Sequence, residues 1–124
     1  MAKILVCDDD KDIVEAIDIY LTQEGYEVLK AYDGDEAIKV LKRNEVDLLI
    51  MDVMMPVMDG LEATKAIRML EREDAKKIPI IAMTANAFEE DRKACLEAGM
   101  NEHIGKPIDI PLLKRTITKA IGDR

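Results

Sequence analysis

The stretch Leu48-Leu49-Ile50-Met51-Asp52-Val53-Met54-Met55-Pro56-Val57-Met58-Asp59-Gly60 decides the fold. Four apolar residues run without a break into one carboxylate, and Val53, Met54 and Met55 follow it at once. A short continuous apolar run closed by a turn segment reads as a parallel strand buried on both faces. Asp52 stands at its end. An unpaired buried carboxylate costs several kcal/mol, on the order of what holds a small domain together, so the chain has to supply partners for it. Beyond the turn, Asp59 with Glu62 forms a capping-box pair that opens a helix, predicted to run to about Arg72.

The same strand–turn–helix pattern recurs on either side. Ile4-Leu5-Val6-Cys7 is a buried strand ending in Asp8-Asp9-Asp10, and a helix follows from Lys11 to Glu24 with Gly25 as its stop. Asp10 is its N-cap. Glu27 to Tyr32 is a strand, and Lys30 within it argues for an edge position. Asp33 with Glu36 caps a helix that ends near Asn44. After the central stretch, Ile78 to Met83 is a fourth strand closed by Thr84, and Asn86 with Glu89 boxes the start of a helix ended by Gly99. A short fifth strand, Glu102 to Gly105, leads to Lys106-Pro107, and Asp109 opens the last helix. Five β-α units with right-handed crossovers predict an α/β fold, an open parallel sheet with helices on both faces; the expected form is a doubly wound five-stranded sheet of flavodoxin-like order 2-1-3-4-5.

Composition narrows the class. At 124 residues and 48% apolar content the chain is expected to be one domain, 1–124, with a proper core. A net charge of −8 argues against direct binding to nucleic acid or to an anionic membrane. No run approaches the roughly 20 apolar residues of a membrane span, and the N-terminus lacks a signal-peptide core. The expected location is cytoplasmic. Cys7 and Cys95, one in a strand and one in a helix, read as small buried hydrophobes rather than a disulfide. Met51, Met54, Met55 and Met58 read as core and rim filler.

Four apolar strands end in Asp8-Asp9, Asp52, Thr84 and Lys106. Doubly wound sheets bind ligands outside the carboxyl ends of their strands, at the point where the strand order reverses. In the order 2-1-3-4-5 that crevice lies between the first and third strands, so Asp8, Asp9 and Asp52 meet there, with Thr84 and Lys106 on neighbouring ends. Clustered carboxylates raise one another's pKa unless a cation sits among them. All-oxygen ligation selects a hard ion such as Mg²⁺. Lys106 adds a point cation and Thr84 a hydroxyl, so the pocket suits a phosphoryl group, with a carboxylate as the available nucleophile.

The Lys3-Ile4-Leu5-Val6-Cys7-Asp8-Asp9 run, the Met51 to Gly60 segment, Met83-Thr84-Ala85 and Lys106-Pro107 closely resemble the receiver domain of two-component response regulators. The resemblance covers the whole chain, and its details look most like receivers of phosphorelays and hybrid kinases. It implies that Asp52 accepts a phosphoryl group from a phosphohistidine on a sensor histidine kinase or histidine phosphotransfer protein. Asp9, Asp52 and the backbone carbonyl of Met54 would ligate Mg²⁺, with Asp8 holding a metal-bound water. Thr84, the Ala85 N–H and Lys106 would bind phosphoryl oxygens, and the Lys106-Pro107 bond would be cis. The domain would promote its own phosphorylation and dephosphorylation without being a turnover enzyme. With no second domain in the chain, its output would be a downstream protein bound through the last two helices and the fifth strand. In one place the sequence departs from the resembled pattern: His103 replaces the aromatic that, with Thr84, acts as the switch.

Two other classes share parts of this pattern. An aspartate-nucleophile phosphatase needs a second acid two residues after the nucleophile, where Met54 stands. A flavodoxin-like electron carrier needs a phosphate-cradling first loop, which Asp8-Asp9-Asp10 would repel, and 3% aromatic residues leave little to stack on a flavin. The first helix has a broad apolar arc, and Val14 at its edge with Ile19 outside it is the expected docking surface for the phosphodonor.

Overall fold

The computed structural model describes residues 2–55, 57–85 and 89–122, with residues 89–91 described for the backbone alone. Five strands alternate with helices: β1 (Lys3–Cys7), α1 (Lys11–Gln23), β2 (Glu27–Ala31), α2 (Gly34–Arg43), β3 (Leu48–Asp52), α3 (Gly60–Arg68), α4 (Glu73–Lys77), β4 (Ile80–Thr84), α5 (Glu89–Ala98), β5 (Glu102–Gly105) and α6 (Ile110–Ile121). All pairings are parallel, in the order β2-β1-β3-β4-β5. The predicted topology holds, and β2 is an edge strand. Its Lys30 leaves the sheet to pair with Asp18 at 2.9 Å and Glu15 at 3.3 Å on α1.

The helices start where the sequence puts short acceptors. Asp10 accepts from the Asp12 N–H at 3.0 Å, Asp33 from Glu36 at 2.8 Å, Asp59 from Glu62 at 2.8 Å and Asp109 from Leu112 at 3.2 Å. Asn86 and the side chain of Glu89, expected to cap α5, lie outside the described residues.

β4 starts two residues later than expected and takes in Thr84, and the larger difference lies in the helix after β3. The helix expected to run from Asp59 to about Arg72 ends at Arg68, and a separate short helix, α4, follows. The residues between are good helix formers, so local propensity does not break the helix. Tertiary contacts do. The Arg68 guanidinium donates to the carbonyls of Gly99 (2.8 Å) and Ala75 (3.1 Å) and to Asn101 Oδ1 (2.9 Å). Arg72 turns back to Asp74 at 2.7 Å and to the Leu41 carbonyl.

Side-chain alternation divides the core between the two sheet faces. Leu5, Cys7, Leu49, Met51, Ile80 and Ala82 pack under α2, α3 and α5. Ile4, Val6, Leu48, Ile50, Ile81 and Met83 pack under α1 and α6. Each fully buried large side chain contributes roughly 2 kcal/mol by removal from water. Val14 belongs to this second core at 1% exposure, which overturns its placement on a docking surface, whereas Ile19 is 53% exposed. Both cysteines are buried and free. Met51 and Met55 are core, Met58 is half-buried and Met54 is exposed. Among the described residues no helix is long and apolar enough to cross a membrane.

Candidate functional site

β1 and β3 are neighbours in register, with Cys7 opposite Met51, so the next residues, Asp8 and Asp52, emerge side by side at the carboxyl end of the sheet. Cys7 and Met51 face the α2/α3/α5 layer; alternation turns Asp8 and Asp52 to the opposite face, the side of α1 and α6. Lys106, two residues past Ile104, falls on that same face. Its ammonium lies 2.9 Å from Asp8 Oδ2 and 3.3 Å from Asp52 Oδ1. Asp9 is exposed, yet carboxylate oxygens of Asp8, Asp9 and Asp52 all lie within 4.8 Å of one another.

The electrostatics follow from this placement. Burial pushes the Asp52 carboxyl up from 3.8 to about 6, and the neighbouring Asp8 charge adds to the rise. Lys106 and the Met54 N–H, which bonds to the carboxylate, pull the other way without cancelling it. Burial by itself would lower the Lys106 pKa, but its contacts with Asp8 and Asp52 outweigh that and raise it. Asp8 is fully buried; Oδ1 accepts the Asp10 N–H at 2.9 Å, and Oδ2 lies 2.9 Å from the Lys106 ammonium. Three carboxylates and one ammonium leave a local excess of negative charge. The donor set is all oxygen and open to solvent at Asp9, which fits a hard, partly hydrated divalent cation such as Mg²⁺.

The backbone around the site is closely packed. Val53 N–H donates to the Met83 carbonyl and Gly60 N–H to the Val53 carbonyl, both at 2.9 Å, so the loop is tied to β4 and to the start of α3. A Cβ on Gly60 would run into the carbonyl of Asp52, so only glycine lets α3 begin this close to the strand end. Val57, in the same loop, sits at φ 69°, a left-handed conformation that a β-branched residue rarely adopts.

Of the residues singled out in the sequence, Asp8, Asp9, Asp52 and Lys106 are brought together. Thr84 ends β4, buried, and its carbonyl accepts the Lys106 N–H at 2.8 Å; Ala85 follows it, exposed. The Lys106-Pro107 bond is cis, as expected. His103 stands opposite Ala82 in the β4–β5 ladder, half-buried, and its Nε2 is buried with no hydrogen-bond partner among the described residues. Two features were not foreseen. Lys106 approaches Asp8 more closely than Asp52. Gly60 was read as the residue after a cap; its packing role depends on which strand end lies beside it.

Comparison with known proteins agrees with this geometry. Residues 4–118 match the response regulator receiver domain family. Sensor histidine kinase RcsC of Escherichia coli K12 is 38% identical over 115 residues, covering 93% of this chain and 12% of that protein. The CAI-1 autoinducer sensor kinase/phosphatase CqsS of Vibrio cholerae is 42% identical over 111 residues, covering 90% and 16% respectively. The chain therefore spans a small part of such relatives. Among solved structures, the receiver domain of sensor histidine kinase PA1611 from Pseudomonas aeruginosa, with a magnesium ion coordinated in its active-site cleft, is 38% identical with a TM-score of 0.88 over 98% of both chains. Strand order, site position and sequence all converge: the chain belongs to the response regulator receiver domain family, the phosphoacceptor signalling domains of two-component and phosphorelay systems.

Proposed function

We propose that Asp52 is the phosphoacceptor of this chain and takes its phosphoryl group, in the cytoplasm, from a phosphohistidine on a sensor histidine kinase or histidine phosphotransfer protein. The observation that carries this reading is the Lys106 ammonium held between Asp8 (2.9 Å) and Asp52 (3.3 Å), with Asp9 beside them. An Asp52 oxygen attacks phosphorus, the P–N bond to the donor imidazole breaks, and its electron pair returns to the ring. The carboxylate must be ionised to attack. With its pKa at about 6 it is mostly ionised at neutral pH and progressively less so below. Lys106 stays anchored on Asp8 while its remaining hydrogens turn to a phosphoryl oxygen. Thr84 and the Ala85 N–H take the other oxygens.

Asp9, Asp52 and the Met54 carbonyl would hold Mg²⁺, with Asp8 on a bound water. The ion supplies neutralisation of the transferring group's charge. A groove of about 430 Å³ opens beside Lys106, lined by Ile13, Ala16, Pro107, Ile108 and Ile110. It takes over the donor-docking role that the buried Val14 cannot fill. Movement of Thr84 towards the phosphoryl group would be passed to His103 on the adjoining strand, switching the α5–β5–α6 surface read by a downstream protein. The chain promotes its own phosphorylation and dephosphorylation and turns over no external substrate. Acetyl phosphate with Mg²⁺, followed by mass spectrometry, should show one added phosphoryl group, absent in Asp52→Asn. Equal labelling of that variant refutes the assignment.

A further inference from the structure

We infer that Gly34, the first residue of α2, is a positioning residue for the metal side of the site, because it holds the loop that carries the Met54 carbonyl. This rests on the reading above, in which that carbonyl is a Mg²⁺ ligand. Residues 53–59 join β3 to α3. The ends of this loop are pinned: Gly60 N–H donates to the Val53 carbonyl and Val53 N–H to the Met83 carbonyl on β4. Its middle is held from α2, a helix that puts no side chain into the site. Gly34 N–H donates to the Met58 carbonyl at 3.1 Å. A second tie runs beside it. The Cys7 thiol donates to the Asp33 carbonyl at 3.3 Å and lies 3.6 Å from Met55 Sδ, so the residue before Gly34 is bridged to the same loop.

Contact, not conformation, makes residue 34 a glycine. Its backbone is not left-handed, and alanine is the better helix former. Yet a Cβ there would lie 2.6 Å from the Met58 carbonyl oxygen, 2.9 Å from Ala63 Cβ and 3.0 Å from Met58 Cβ. A backbone oxygen cannot step aside alone, and Ala63 is fully buried on α3. The loop has to give. With both of its ends pinned, a shift at Met58 spreads into residues 54–57. Met55 is anchored in the core, and Val57 already stands at φ 69°, so neither absorbs much of it. The displacement reaches Met54, whose N–H bonds to the Asp52 carboxylate. Mg²⁺ demands near-ideal ligand placement, so moving one ligand costs affinity, whereas the larger Ca²⁺ accepts irregular geometry.

The test titrates Mg²⁺ and, separately, Ca²⁺ into the isotope-labelled chain without any phosphodonor, following the amide signals of Asp9 and Val53. Gly34→Ala should bind Mg²⁺ about tenfold more weakly than wild type, the scale on which groups behind a metal ligand act, and Ca²⁺ nearly as well as wild type. Leu41→Ala, a core change on the same helix, is the control: it should lower stability in urea melts and leave both affinities unchanged. Cys7→Ala removes the bridge to Met55 without adding bulk and should weaken Mg²⁺ in the same direction, so it carries the test if Gly34→Ala does not fold. Wild-type Mg²⁺ affinity in the variant that folds overturns the inference. Equal loss of Mg²⁺ and Ca²⁺ binding, or the same Mg²⁺ loss in Leu41→Ala, also overturns it, because the effect is then general loosening. A wild-type chain that binds neither cation refutes the metal reading and the inference with it; one that binds Mg²⁺ no better than Gly34→Ala does refutes the inference alone.

Discussion

Replacing Asp52 by Asn in metal-free buffer should stabilise the protein at neutral pH. The carboxyl is 4% exposed and its pKa is raised from 3.8 to about 6, first by burial and then by Asp8. The folded state therefore holds the Asp52 proton more tightly than the unfolded chain does. Its sign is the reverse of a salt-bridged aspartate: the group adds no penalty below about pH 4, and stability is lost as pH rises from there to about 6. Above that the penalty is complete. At 1.36 kcal/mol per pKa unit the shift corresponds to about 3 kcal/mol. The attraction of Lys106 is already contained in that shift, and Asn keeps an oxygen to accept the Met54 N–H. Urea melts in EDTA at pH 4.5, 6 and 7.5 would show the gap between Asp52→Asn and wild type opening to about 3 kcal/mol with rising pH. Added Mg²⁺ should narrow it by stabilising the wild type. A wild type that is at least as stable as Asp52→Asn at pH 7.5, or a gap independent of pH, refutes the electrostatic account of the site.

Two further perturbations probe its surroundings. Val57 stands in a left-handed conformation, so Val57→Gly should relieve backbone strain and stabilise the fold by about 1 kcal/mol, read in the same melts; a loss of stability would show that the exposed valine is held by contacts instead. Ile13 lines the groove beside Lys106, so Ile13→Asp should slow phosphotransfer from a histidine donor at least about tenfold while acetyl phosphate labelling continues, and parallel loss of both would place its effect in the core.

Much of this protein was legible in one dimension. Short unbroken apolar runs bounded by turn signals, such as Leu48 to Met51, read as strands covered on both sides, and Asp10, Asp33, Asp59 and Asp109 mark helix starts through bonds that span two or three residues. Right-handed crossovers make the sheet parallel, and in the order β2-β1-β3-β4-β5 the residues at the carboxyl ends of β1, β3 and β5, Asp8, Asp52 and Lys106, come together. What local sequence could not contain are effects set by neighbours distant in the chain. Where α3 ends, Arg68 bonds to Ala75, Gly99 and Asn101, acceptors that only the folded chain brings beside it. Val14 is buried because α1 presses on a broader surface of the sheet than a narrow apolar stripe covers. The Asp52 carboxyl takes a raised pKa because enclosure, which depends on every chain segment packed around a group, sets how much water it keeps.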